Sequence, residues 1–100
     1  MLNDSTLSVI REIFEYAENN PGTSYYDIEK VAYESDNYKW IRVLRSKKTR
    51  FNIAELIKSI RKKNGIKYKN NRSDSMLAAI KAKDDFFARH NGVMPNEYYD

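Results

Sequence analysis

His90 is the sole imidazole in this 100-residue chain, and cysteine is absent. Those two counts remove thiol nucleophiles, disulfides, thiolate zinc sites and any two-histidine centre built within one chain. His90 falls in the predicted last turn of a helix, where a cation is favoured, so a helix-end role is expected for it. Asp84 and Asp85 are adjacent, which on a helix turns them about 100° apart. They do not face each other as an acid–base pair, and Lys81 and Arg89 are close enough in sequence for surface ion pairing. A metal-dependent nuclease would have to draw on Asp84, Asp85, Asp27 and Glu29, and no spacing among them requires it. The three glycines form neither a phosphate loop nor a dinucleotide fingerprint, and no His-Glu-x-x-His or calcium loop occurs. The expectation is a protein without catalytic activity, metal or cofactor.

The chemistry that the sequence does concentrate is cationic. The formal net charge of +4 is unevenly placed: residues 1–38 carry −6, residues 39–72 carry +12 and residues 73–100 carry −2. The central block holds thirteen bases and one acid, Glu55. Like charges at that density repel, and a run of this kind is often disordered. Here it is interleaved with Trp40, Ile41, Val43, Leu44, Phe51, Ile53, Leu56, Ile57 and Ile60, apolar content that a disordered tail has no use for. Any single lysine is most simply a solvated side chain. The collective bias points to a surface for polyanions.

Helices must position those charges. Strand alternation is missing, and Asn20-Pro21-Gly22, Asn64-Gly65 and Asn91-Gly92 punctuate the chain. The first helix is predicted from Asp4 or Ser5 to Asn19, with Leu7, Ile10, Ile13, Phe14 and Ala17 inward. The second runs from Ser24 to Glu34, opened by Ser24 and Asp27 at capping-box spacing. The third runs from Asp36 to Lys48, with Trp40, Ile41 and Leu44 on one face and Tyr38, Lys39, Arg42, Arg45 and Ser46 on the other. The fourth runs from Asn52, paired with Glu55 as a cap, to Asn64. Its bases Arg61, Lys62 and Lys63 also offset the helix dipole. Residues 66–72 form a basic loop. The fifth helix runs from Asp74 or Ser75 to His90, lined by Met76, Ala79, Ile80, Phe86 and Phe87. The architecture expected is an all-α, compact five-helix bundle over residues 1–92, with residues 93–100 as a tail whose Tyr98 and Tyr99 either fold back onto the body, the favoured reading, or stay free as a peptide ligand. No apolar run reaches membrane-span length and no signal peptide is evident, so a cytoplasmic location is expected.

The segment from Thr23 to Ser35, the short Ser35-Asp36-Asn37 junction and the segment from Asp36 to Arg45 together resemble the helix-turn-helix of DNA-binding domains, over about residues 5–50. The chain departs from that pattern at the turn, where acidic Asp36 stands with Asn37 in place of the usual glycine or small residue. No β-wing is expected, since residues 47–51 are too few for a hairpin. The resemblance implies a small transcriptional regulator acting on double-stranded DNA in preference to RNA. It implies that Arg42 and Arg45 read guanine, with Tyr38 and Lys39 on base edges or phosphate. Lys47, Lys48 and Arg50 would anchor the following backbone, and Arg61, Lys62, Lys63, Lys67, Lys69 and Arg72 would form a second phosphate patch. Tyr68 is the candidate for base stacking, whereas Trp40 is read as a core anchor. The alternative is a small phage or mobile-element protein that inhibits or adapts a nucleic-acid machine by protein contact. A homodimer suiting palindromic sites is a further expectation.

Overall fold

The computed structural model describes residues 4–66 and 72–90, with the side chain of Arg72 left aside. Within them the chain is all helical: α1 Asp4–Asn19, α2 Tyr25–Glu34, α3 Tyr38–Arg45, α4 Lys47–Lys63 and α5 Arg72–Arg89. No strand occurs among the described residues, so the architecture is a five-helix bundle. The proposed roles of Lys67, Tyr68, Lys69 and the 93–100 tail lie outside them.

The core explains the order of packing. Ile13 and Ala17 of α1, Ile28 and Ala32 of α2, Ile41 of α3 and Ile53 of α4 are almost wholly buried. α1 lies across α3 and α4, while α2 lies on α5. Where α2 lies on α5, α2 buries Ala32 and α5 buries Ala79 and Ala82. Short side chains let two helices approach closely. Phe86 then closes the far end of that seam, with its ring centroid 5.5 Å from that of Tyr33.

Local chemistry sets the first boundaries. The Ser24 hydroxyl accepts from the Asp27 amide (3.2 Å), and the Asp27 carboxylate accepts from the Ser24 amide (3.0 Å). This reciprocal box satisfies two donors that the first turn of α2 leaves open. α3 is opened by Asn37, whose side-chain oxygen accepts from the Lys39 amide at 3.1 Å. Between them Asp36 takes φ 56°, the left-handed region usually given to glycine. Aspartate is among the few side chains that tolerate it. The Arg89 guanidinium from α5 meets the Asp36 carboxylate at 2.9 Å and donates to the Tyr33 carbonyl, so α5 fastens the turn from outside.

Three sequence expectations are corrected. The third helix stops at Arg45 rather than Lys48, and the fourth starts at Lys47 rather than Asn52. The phase of the apolar residues demands it. A straight continuation of α3 from Trp40, Ile41 and Leu44 would turn Lys47, Lys48, Phe51, Glu55 and Lys58 inward. The break at Ser46 resets the phase, so that Thr49, Ile53, Ile57 and Ile60 are buried instead. Asn52 and Glu55 therefore sit inside α4, both exposed, and cap nothing. On α1, Val9 is buried while Leu7 and Phe14 are exposed; on α5, Met76 and Ile80 face solvent.

Candidate nucleic-acid interface

Ser46 is where two sets of cations meet. Lys39, Arg42 and Arg45 come from α3, and Lys47, Lys48 and Arg50 from the first turn of α4; all six are exposed. The sequence carries no acid between Asp36 and Glu55. A helix N-terminus is already the positive end of its dipole, and Ser46 supplies no side-chain cap there. Lys47 and Lys48 stand in that turn against the dipole, a cost that a polyanion would relieve.

A half-buried network supports this corner from below. The Tyr25 hydroxyl donates to the Leu44 carbonyl at 3.1 Å, fixing the end of α3 to α2. The Arg50 guanidinium lies over the Tyr25 ring, 5.1 Å from its centroid, a cation–π contact that limits its swing. Burial pushes the Glu29 carboxyl above its ordinary pKa, against the pull of Arg50 and Lys83. Burial also raises the phenols of Tyr25 and Tyr33, and the nearby Glu29 charge raises them further. Both phenols are therefore neutral hydrogen-bonding groups across the physiological range. Trp40 is buried, with its indole N–H donated to Glu12 of α1 at 3.0 Å, so it is a core anchor and not a stacking platform.

Tyr38 is a correction. The helical wheel places it on the outer basic face, but the end of α5 covers that turn. Its ring packs against Phe86 and His90, at centroid distances of 5.6 and 4.9 Å. Its hydroxyl lies 2.9 Å from both ring nitrogens of His90. His90 is thus the helix-end residue expected, turned inward onto α3, with Asp36 3.6 Å from its Nε2. Tyr38 is consequently taken up by the protein itself. The exposed part of the basic face is Lys39, Arg42 and Arg45 together with the start of α4.

The second patch is also thinner than expected. Arg61 is half-buried and donates to the carbonyls of Thr23 (3.1 Å) and Gly22 (3.3 Å), closing the α1–α2 turn. Lys62 and Lys63 are exposed at the far end of α4, about 21 Å along the helix from Lys48. Arg89 finds its acid on Asp36, not on Asp85.

One residue joins the corner that the sequence reading left out. Among the described residues Phe51 is the most exposed large apolar side chain, at 69%. It stands one helical turn beyond Lys47 and Lys48, where its neighbours are cations; an exposed ring in that setting can stack on a base or lie against sugar. Its signal was the phase argument, which ejects Phe51 from the core once α4 starts at Lys47. Lys83 of α5 is exposed, with its ammonium 5.8 Å from the centroid of the Phe87 ring.

Among the described residues no group of three or more His, Asp or Glu side chains gathers as a metal site, and no helix is long and apolar enough to cross a membrane. The chain matches no known protein family, no curated protein and no solved structure.

Proposed function

We propose that this protein binds double-stranded DNA through the α3–α4 corner, as a small regulator of helix-turn-helix type. The observation that supports it is the six exposed cations gathered from two helices about Ser46. α2 and α3 joined through Ser35, Asp36 and Asn37 supply the helix-turn-helix element.

The docking mode follows from what α5 covers. Recognition helices usually read bases with their N-terminal residues. Here Tyr38 of that turn is packed against Phe86 and His90, while Lys39 stays exposed. Arg42 and Arg45 then reach base edges, each with a fork of donors suited to guanine. Lys39, Lys47, Lys48 and Arg50 hold phosphates and set the register. Phosphate contact dominates such a surface, and binding is steeply salt-dependent.

The test is fluorescence anisotropy with random and AT-rich duplexes at ~50 and ~200 mM salt. With four phosphate contacts, affinity should fall about 150-fold across that range. Arg42→Ala and Arg45→Ala should weaken binding to a preferred duplex and leave the helical content unchanged. Absence of binding at low salt overturns the proposal and reassigns the corner to an acidic protein surface.

A further inference from the structure

α5 is docked by one side only. Ala79, Ala82 and Phe86 face α2 and the core, while Leu77 (60%), Ile80 (47%) and Met76 (38%) remain exposed on the other side. At 100° per residue, Leu77 and, two turns on, the exposed Asp84 lie near the middle of the exposed face, Met76 and Ile80 on one flank, and Asp74 and Lys81 on the opposite flank. Contiguous apolar surface on a small protein usually has an occupant.

We propose that this face pairs two copies of the chain, with α5 running antiparallel to α5 about a twofold axis beside Leu77. The register is what commits the occupant. In an antiparallel pair related by a twofold, residues of the same flank meet, at equal distances on either side of the axis. Leu77 then meets its own copy. Met76 and Ile80 share a flank and are centred on Ala78. Asp74 and Lys81, both exposed, share the other flank and are centred between Leu77 and Ala78. One axis therefore brings Leu77 to Leu77, Met76 to Ile80 and Asp74 to Lys81, each heterologous contact made twice. An isologous interface requires this self-complementarity. A partner with unrelated charge spacing would not satisfy Asp74 and Lys81 together.

One helix pair offers less than the ~800 Å² per partner of a standard stable interface, so the dimer is a weak one. It stands apart from the DNA-binding proposal and is tested without nucleic acid. Sedimentation equilibrium of the full chain from about 10 µM to about 1 mM should show a monomer–dimer equilibrium. Leu77→Asp should weaken it about tenfold or more, without loss of helical signal, because Leu77 is exposed in the monomer. Asp74→Lys and Lys81→Asp should each weaken it about two- to tenfold, and the double exchange should restore it. Since the chain has no cysteine, Leu77→Cys supplies an independent readout: mild oxidation should link two copies at that position faster than in Asp85→Cys. A monomer throughout the range overturns the proposal. So does a dimer indifferent to Leu77→Asp, or one in which the exchanged charges fail to recover association.

Discussion

Phe86→Ala is the most informative single change to the fold. The ring is fully buried, bounded by Tyr33, Tyr38 and His90 at centroid distances of 5.5, 5.6 and 4.4 Å. The Arg89 guanidinium lies 5.8 Å from its centroid. Truncation loses the transfer energy of the ring and leaves a cavity that these fixed neighbours cannot fill, a cost of about 3–5 kcal/mol. Against a total stability of about 5–15 kcal/mol this is a large fraction. For a domain of this size it should lower the melting temperature by roughly 12–40 °C. Leu77→Ala on the same helix is the control: with its side chain mostly in water the change should stay within about 0.5 kcal/mol. Thermal unfolding followed by far-UV circular dichroism at a few micromolar protein, below the range of self-association, measures both. If Phe86→Ala costs less than about 1 kcal/mol, or no more than Leu77→Ala, the docking of α5 through this ring is refuted.

Other expected outcomes follow from the turn, the corner and the network beneath it. Asp36→Gly should be nearly neutral, since glycine accepts the left-handed φ while the exposed Arg89 ion pair contributes little; Asp36→Ala should cost about 1–2 kcal/mol in chemical denaturation. Lys47→Gln with Lys48→Gln should reduce the slope of log affinity against log salt by about 1.8, whereas Arg61→Gln should lower stability and leave that slope unchanged. Glu29→Gln should stabilise the fold at neutral pH. The folded carboxyl titrates above its unfolded value, so ionisation costs stability as pH rises past the ordinary carboxylate pKa. The gain should vanish in acid, where both forms are neutral, and a gain that persists at low pH would refute this account of Glu29.

Much of the bundle was readable where the chain punctuates itself. Pro21-Gly22 and the Ser24–Asp27 box fix the start of α2, and α1 ends where expected at Asn19. The α3–α4 boundary has no such mark: Ser46 is flanked by bases, and neither glycine nor proline stands near it. The break is imposed by the need to bury Ile53, Ile57 and Ile60 rather than Lys47 and Lys48. The basic corner was legible as composition, because charge is counted without knowing the fold. Tyr38 was not, because its neighbours Phe86 and His90 are supplied from the far end of the sequence. α5 was ambiguous for a different reason. It carries apolar residues on both sides, and the alanines that win the core, Ala79 and Ala82, are less hydrophobic than the Leu77 and Ile80 left outside.

The joint at Ser46 has a mechanical consequence. A single residue separates α3 from α4, so the longer helix acts as a stiff arm about 25 Å long, pivoted where the cations cluster. A tilt of about 10° at the pivot displaces the Lys63 end by about 4 Å over such a length. That end is not at liberty to follow, because Arg61 holds the carbonyls of Gly22 and Thr23. A load applied at the corner is therefore carried along α4 and opposed at the α1–α2 turn, a beam held at both ends.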